Sequence, residues 1–335
     1  MRPHQRFLVE DPSQVGEARR AGQVLAQDCG LDDTAAGQVA LAITELGTNL
    51  VRHAGGGQLL LSSPATGRVE VLSLDAGPGM DVRRCLQDGY STAGSAGTGL
   101  GAVQRIAERF DAFSLPRQGT VIAMTVASSA LARAERAAPP QIDLAAVALA
   151  APGEIVSGDG WGWRVHDDQV WLMCADGLGH GVEAAEAADT VLASFERSCL
   201  TSPAAMLEEA HERMRATRGA AVSVAALDVG GARLTFAGAG NVSGRLVSGI
   251  TDRTLMSQHG TLGVQIRKLK DLLYEWPEHA IVVLHSDGII SRWNFDAVPG
   301  LLQTSPAVIA GWIMRDHCRG RDDATVVVAR RATNR

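Results

Sequence analysis

Aromatic residues make up only 4% of this 335-residue chain. A core built from its 46% hydrophobic content must therefore be filled by Ala, Val and Leu. Cysteine is also sparse. Cys29, Cys85, Cys174, Cys199 and Cys318 include no pair at the CxxC spacing of a zinc site. None lies in a phosphate-cradling loop of the tyrosine-phosphatase kind, and all five read as buried free thiols. Long apolar runs are missing too. The nearest, 120–132 (TVIAMTVASSALA), falls short of the ~18 residues of a membrane span. The opening MRPHQRFLVEDPSQ lacks the apolar core of a secretory leader. A cytoplasmic protein without a membrane partner is expected. The net charge of −6 is spread along the chain, which argues against nucleic acid as a partner. No repeat of fixed period is visible.

The length suggests about two domains at ~150 residues each. Residues 133–141 (RAERAAPPQ) are charged and then proline-paired, and a Pro-Pro step can neither continue a helix nor donate to a sheet. The expected division is 1–132, a linker at 133–141, and 142–335. In the first part, 12–28 reads as an amphipathic helix with Val15, Ala18, Val24 and Leu25 inward. A second helix covers 33–53, with Val39, Ile43, Leu46 and Leu50 at helical spacing. Strands are expected at 58–63, 68–74 and 119–127, a Gly/Ser/Thr-rich loop at 88–98, and a helix at 100–110 burying Leu100, Val103, Ile106 and Phe110. Helices on one face of a mixed sheet follow from this order. The second part is richer in strands, at 142–150, 162–166, 169–175, 221–228, 232–237, 243–247, 280–285 and 324–330. Its helices fall at 181–198, 203–217 and 305–316. That pattern predicts sheet on sheet with flanking helices.

Three aspartates sit at the edges of apolar strand-like runs. Asp176 ends VWLMCADG, Asp287 ends IVVLHSDG and Asp322 opens DDATVVVAR. Two carboxylates held ~4 Å apart repel by roughly 4 kcal/mol at an effective dielectric of 20. Three converge comfortably only around hard cations such as Mg²⁺ or Mn²⁺. Two such ions can make hydroxide from water and clamp a phosphoryl group. An Asp-Gly pair taken singly is also a common turn; several in register are not.

In the first part, Glu45 and Asn49 are four apart on the second helix and point the same way. DAGPG at 75–79 follows a strand, where a carboxylate can accept from an adenine amino group. GTGLG at 97–101 opens a helix, whose free N–H groups suit a phosphate. These three elements resemble the N, G1 and G2 boxes of the histidine-kinase-like ATPases. The tail GAVQRIAERFDAFSLPRQGTVI is similar to the small serine kinases that control anti-sigma factors and the stressosome. The resemblance covers about 5–128 and implies a two-layer α/β Bergerat-type sandwich binding ATP with Mg²⁺. It implies that Asn49 holds Mg²⁺, that Glu45 is the catalytic base and that Asp75 reads adenine. Gly77, Gly79, Gly97, Thr98, Gly99, Leu100, Gly101 and Thr120 would complete the nucleotide site. No phosphoacceptor-histidine segment precedes the domain, so a sensor histidine kinase is not expected.

In the second part, SGDGWG (157–162), ADGLGHGVEAAEAA (175–188), GAGNVSG (238–244), LHSDGII (284–290) and GRDDATVVV (320–328) occur in an order that resembles the SpoIIE-type phosphatases, the bacterial branch of the 2C-type (PPM) Ser/Thr phosphatases. The resemblance spans about 142–331 and implies an αββα sandwich with two Mn²⁺ or Mg²⁺ ions. Asp176 would bridge them, the Gly177 carbonyl would ligate one, and Asp287 and Asp322 would complete the site. Asp159 would sit in the outer shell or contribute to the metal site through water. Adjacent strand residues face opposite ways, so one of Asp322 and Asp323 is the ligand, and the family pattern favours Asp322. Two departures stand out. Leu178 occupies the place where many 2C-type enzymes carry a histidine; His180 is either its substitute or packs or caps the helix start. Gly162 stands where the family often has a second acid.

Three functions remain open from sequence. In the first, a phosphatase acts on a phosphorylated Ser/Thr of a STAS-type anti-sigma antagonist or stressosome-like protein, and the N-terminal domain is a serine kinase on the same or a related partner. In the second, the N-terminal domain only senses nucleotide and gates the phosphatase. The third is a non-catalytic scaffold that sequesters a sigma-factor regulator.

Overall fold

The structure is a computed structural model describing residues 3–87, 99–137, 141–166 and 168–332, the side chains of 134–137 excepted. It divides into two compact units, one of Arg2–Pro139 with Gln303–Arg315, the other of Pro140–Leu302 with Asp316–Arg335.

In the first unit the chain runs β1 (Gln5–Val9), α1 (Pro12–Asp28), α2 (Asp33–Asn49), a π-helical turn (Leu50–Ala54), β2 (Gly57–Ala65), β3 (Arg68–Asp75), α3 (Val82–Cys85), α4 (Gly99–Ile106), β4 (Arg109–Leu115), β5 (Gly119–Ala127) and α5 (Ser129–Ala137). Short polar side chains start the two long helices. Asp11 accepts from Ser13 N–H at 2.8 Å, and Gln14 returns the bond to Asp11 N–H at 3.0 Å, closing a capping box with Pro12 behind it. Asp32 caps α2 through Ala35 N–H at 2.8 Å.

The sheet runs β1-β2-β3-β5-β4 and is antiparallel at every pairing, not mixed. Two-residue alternation gives it two apolar faces. Leu59, Leu61, Val69, Val71, Ile122 and Met124 meet Val39, Ile43 and Leu46 of α2. Leu60, Leu72, Leu74 and Val121 line the other face and are equally buried. Each such side chain is worth roughly 1.5–3 kcal/mol of burial.

Several expectations shift. Val24 is exposed, because the buried stripe of α1 is Val15, Ala18, Gly22 and Ala26, and residue 24 lies about 200° around the helix from 22. The helix expected to 110 stops at Ile106, and Phe110 belongs to the edge strand β4, which period-2 burial did not reveal. β1 was also absent from the sequence reading. Helix α5 occupies part of the expected linker. The loop at 88–98, with Gly97 and Thr98, lies outside the described residues.

The second unit continues with β6 (Ile142–Leu149), β7 (Asp159–His166), β8 (Gln169–Gly177), α6 (Val182–Arg197), α7 (Pro203–Arg213), β9 (Ala220–Asp228), β10 (Arg233–Ala239), β11 (Ser243–Val247), β12 (Asp252–Leu255), β13 (Gly260–Thr261), β14 (Gln265–Ile266), β15 (Leu272–Glu275) and β16 (Ile281–His285). Helix α8 (Pro306–His317) and β17 (Ala324–Arg331) close the chain. Two antiparallel sheets form, β15-β10-β9-β8-β7 and β12-β11-β16-β17-β6. Leu172, Cys174, Phe236, Trp276, Val282, Leu284 and Val327 pack in one cluster that draws on both sheets. Trp171, Met173, Val222 and Val224 point the other way, into a cluster with Val191, Phe195, Met206 and Leu207 of α6 and α7. Strands β12 to β15 are short and escaped the sequence pattern. Cys199 is exposed, against the expectation of five buried thiols. Among the described residues no helix is long and apolar enough to cross a membrane.

Candidate functional site

The acidic centre of the second unit is assembled by strand register and tight turns. Asp159 and Asp176 face each other across the β7–β8 pair. The Asp287 main-chain N–H donates to the Asp176 carboxylate, which ties the end of β16 to the end of β8. Gly288 then packs directly on the main chain at Asp323 and Ala324, where a Cβ would collide with the Asp323 carbonyl. That contact brings Asp287 beside Asp322. Asn241 Nδ2 donates to Asp287 Oδ2 at 2.7 Å.

The adjacent aspartates take different environments. Asp323 is 3% exposed, and its carboxylate accepts from Ala151 N–H at 2.8 Å and Gly158 N–H at 2.9 Å. Asp322 is exposed, and its Oδ1 accepts from Asp323 N–H at 2.9 Å. Asp159 is buried behind the centre and accepts from Ser286 Oγ at 2.6 Å.

Electrostatics mark the cluster as short of positive charge. Burial, with Asp287, Asp322 and Asp323 nearby, pushes the Asp176 carboxyl up to about 7. Burial and then Asp176 raise Asp159 well above the ordinary range. Asp287 is raised by burial and by Asp322, with Arg319 and Asn241 opposing. Carboxyls respond this way when like charges share a poorly solvated site. Among the described residues, however, no three His, Cys, Asp or Glu side chains close into a ready-made cage. The predicted convergence is therefore one of neighbouring charges rather than a finished ligand shell. The donor set, all oxygen and mostly carboxylate, is of the kind that suits hard divalent ions.

Both departures from the phosphatase pattern gain a physical account. His180 neither packs nor caps α6: its ring is mostly exposed and Nδ1 pairs with Glu154 at 2.8 Å, while Gly181 is the N-cap. Gly162 faces Leu192 and Phe195 of α6, on the opposite side of β7 from Asp159. An acid there would enter apolar packing rather than join the carboxylates.

In the first unit, Asp75 ends β3 and accepts on Oδ1 from Gly77 N–H at 2.8 Å and Thr120 N–H at 3.2 Å. Burial raises its carboxyl, against those two amides and Arg315. Gly79 has φ 75° and presses on the Leu115 carbonyl, where a side chain would not fit. Ser114 pins this loop, accepting from Met80 N–H at 2.8 Å and bonding Thr120 Oγ1 at 3.0 Å. The Glu45 carboxylate reaches the start of α4 at Gly99, joining the first and third nucleotide motifs. Gly101 and Leu100 are buried in α4. Asn49 ends α2, and the wider π turn follows immediately, a feature concentrated at functional sites. A cavity of about 310 Å³ lies elsewhere, along Val15, Arg19, Thr44 and Thr48, and takes in neither Glu45 nor Asn49.

Sequence reasoning missed Ser114, Ser286, Asn241 and the holding role of Asp323. Asn241 and Ser286 lay inside recognised strings, next to glycine or aspartate. Ser114 also lay inside a recognised string, the 101–122 tail, but nothing in that string marked it out.

Residues 8–126 match the histidine kinase-like ATPase domain family, and residues 166–332 match the family of stage II sporulation protein E (SpoIIE). The serine/threonine-protein kinase RsbT of Bacillus subtilis (strain 168) is 34% identical over 109 residues, 31% of this chain and 82% of that protein. A chain solved in work on "The bacterial stressosome: a modular system that has been adapted to control secondary messenger signaling" is 28% identical, with a TM-score of 0.54 over 57% of this chain and 100% of its own. The PP2C phosphatase domain of SpoIIE from Bacillus subtilis, solved with a fragment of its regulatory domain, shares the fold. Its TM-score is 0.50 at 17% identity, over 96% of this chain and 98% of that one. The Bergerat-type sandwich and the αββα phosphatase sandwich are thus both present in one chain. Through its first half the chain belongs to the histidine kinase-like ATPase family with RsbT as a relative, and its second half matches SpoIIE and shares the fold of a PP2C phosphatase domain.

Proposed function

We propose that this protein is a bifunctional regulator in a partner-switching pathway. Its second unit hydrolyses phosphoserine or phosphothreonine on a small STAS-type protein, and its first unit binds ATP and phosphorylates the same or a related partner. The observation that carries the phosphatase reading is the mutual approach of Asp176, Asp287 and Asp322, with Asp176 pushed up to about 7. A fold keeps such a cluster when cations complete it.

Asp176, the Gly177 carbonyl, Asp287 and Asp322 are the groups proposed to hold two Mn²⁺ or Mg²⁺ ions, which when bound would supply an activated water and clamp the phosphoryl group. The chain's own residues set the geometry. Asn241 fixes Asp287, Ser286 fixes Asp159 behind the centre, and Asp323 holds the 151 and 158 loops in place. In hydrolysis the oxygen of a water bonds to phosphorus as the P–O bond to the serine or threonine oxygen breaks in the same step, that oxygen takes up a proton from the water, and no covalent phosphoenzyme forms. In the first unit, Asn49 would hold the Mg²⁺ of ATP, Asp75 would read adenine, and Glu45 would take the proton of the substrate hydroxyl. The RsbT likeness supports this half.

The test is hydrolysis of p-nitrophenyl phosphate and of a phosphorylated STAS-type protein with Mn²⁺, run beside radiolabel transfer from ATP to the unphosphorylated protein. Asp176→Asn and Asp287→Asn are expected to abolish hydrolysis. Wild-type rates in both variants would end the phosphatase reading.

A further inference from the structure

We propose that an apolar collar beside the acidic centre, carried by Ile155, Val156, Leu178 and Val182, is the surface on which the phosphorylated protein substrate docks. This inference rests on the phosphatase reading above and adds the part of the substrate that the metal site does not touch.

The collar comes from two loops of the second unit, each tied to the centre by its main chain. The first, residues 151–158, leads into β7. Asp323 holds it at both ends, accepting from Ala151 N–H and Gly158 N–H. The second runs from Gly177, at the end of β8, to Val182, the first residue of α6. Gly177 N–H donates to the Gly158 carbonyl at 3.0 Å, and Leu178 N–H donates to the Gly219 carbonyl at 3.0 Å. Gly158 has no room for a side chain, because the Ala184 methyl lies where its Cβ would sit. His180 Nδ1 and Glu154 Oε1, 2.8 Å apart, join the two loops a second time.

Loops held from so many sides make what they leave in water informative. Ile155 is 94% exposed and Val182 65%, and Val156 and Leu178 are exposed as well. These side chains forgo the burial that stabilises other Ile, Val and Leu residues of the unit. An apolar patch with a polar rim is the usual mark of a protein-binding surface. The charged groups of this rim are already matched, Glu154 with His180 and Glu183 with Arg218. Leu178 directly follows the Gly177 carbonyl, so a partner on the collar lies one residue from a proposed metal ligand. Where many 2C-type enzymes carry a histidine, this chain adds an apolar contact.

Charge complementarity selects the occupant. A centre filled by cations attracts a dianionic phosphoryl group, and the collar beside it offers apolar contact. A folded protein with apolar side chains bordering its phosphoserine or phosphothreonine satisfies both at once. Residues 151–158 and 177–183 contain no lysine or arginine, so the collar has no basic cluster to draw an anionic lipid surface.

The experiment compares two substrates on the full chain at saturating Mn²⁺. p-Nitrophenyl phosphate reaches the centre alone, whereas a phosphorylated STAS-type protein engages the centre and the collar. Serine is compatible with a loop and with a first helical turn. Ile155→Ser and Val182→Ser are expected to keep kcat/KM for p-nitrophenyl phosphate within about 2-fold of wild type and to raise KM for the phosphoprotein about 10-fold or more, as truncation of central interface residues does. Ile155→Leu, which stays apolar, should remain near wild type on both substrates. Ile250→Ser removes a similarly exposed side chain between β11 and β12, beyond the end of β11 far from Asn241, and should alter neither. A wild-type KM for the phosphoprotein in the Ile155→Ser/Val182→Ser double variant would overturn the collar. Equal loss on both substrates would overturn it as well, by assigning these loops to the centre or to folding. A lower oligomeric state of the double variant in sedimentation, with unchanged phosphoprotein KM, would make the patch a contact between copies of this chain instead. A wild-type protein that hydrolyses p-nitrophenyl phosphate but no phosphoprotein would remove the proposed occupant and leave the phosphatase centre standing. Hydrolysis of neither would remove the phosphatase reading and the collar with it.

Discussion

Asp322 and Asp323 are neighbours in sequence that turn to opposite tasks. Asp323 is buried under the Ala151 and Gly158 amides, whereas Asp322 is exposed beside Asp287 and Asp176. Their substitutions should therefore separate binding from folding. Asp322→Asn is expected to lower Mn²⁺ affinity at least about 10-fold and to leave metal-free stability unchanged or raised, since a like charge is removed. Asp323→Ala strips a charged acceptor from two buried N–H groups, each such bond worth ~1.5–3 kcal/mol. At ~2–4 °C per kcal/mol for a domain of this size, a melting temperature lower by roughly 6–24 °C is expected. Calorimetric metal titration and thermal melts check both, and equal effects of the two variants on metal affinity and on melting would overturn the division of labour.

Metal itself should stabilise the second unit. A ligand bound only by the folded state adds about 2.7 kcal/mol at 100 times its dissociation constant. Mn²⁺ is expected to raise the wild-type melting temperature by roughly 5–10 °C and to leave Asp176→Asn unmoved. Without metal, the Asp176→Asn protein should be at least as stable as wild type, because burial and three neighbouring carboxylates already penalise the ionised form of Asp176. A metal-free Asp176→Asn protein that melts well below wild type would mean that Asp176 serves the fold rather than an ion. Differential scanning of both proteins with and without Mn²⁺ decides it.

Much of this arrangement was legible in the sequence because its carriers are short-range. Asp-Gly at the end of an apolar run states both a strand end and a turn, and register then places Asp176 opposite Asp159. The geometry of the first unit's motifs is local for the same reason: Glu45 and Asn49 are four apart on one helix, and DAGPG needs only its own loop. Long-range features left no local trace. Ser114 earns its role from Thr120, across the β4–β5 turn, and from Met80, 34 residues earlier in the chain. Phe110 looked helical because it continued the spacing of Val103 and Ile106, but strand β4 pairs with β5 and overrides that pattern. Gly162 looked like a lost ligand until the pleat turned it toward Leu192. Helix α8 was found in sequence, yet its membership of the first unit depends on Trp312 and Arg315 meeting residues about 200 to 240 positions away.

Asn241 offers a finer test of the acidic centre. Its amide holds Asp287 Oδ2 at 2.7 Å and opposes the rise of that carboxyl. Asn241→Ala is expected to weaken Mn²⁺ binding about 10-fold, in line with the loss of an outer partner of a metal ligand. Asn241→Asp should be worse, because it sets another carboxylate directly against Asp287. Titrating hydrolysis against Mn²⁺ separates the two outcomes: a higher half-saturating concentration with an unchanged ceiling supports positioning of Asp287. A lowered ceiling at unchanged half-saturation would assign Asn241 to the substrate instead.

Glu45 and Asp75 should fail in different ways if the first unit transfers phosphate. Among the described residues, the Gly77 and Thr120 amides both bond Asp75 Oδ1, so an adenine amino group would meet Oδ2. Asp75→Asn keeps the Oδ1 acceptor for the loop but sets an N–H₂ against that amino group. An unsatisfied donor of this kind costs ~1–3 kcal/mol, or roughly 5- to 150-fold in ATP affinity. Glu45 instead touches the start of α4 beside Gly99, where the phosphates of a nucleotide would end. Glu45→Gln is expected to bind ATP within about 3-fold of wild type and to lose ~10²- to 10⁴-fold in the rate of transfer to a STAS-type protein, the range for removal of a general base. Calorimetry gives the first number and radiolabel transfer the second. Should wild type bind ATP yet label no partner, while Asp75→Asn still loses affinity, the first unit is a nucleotide sensor and Glu45 has no proton to take.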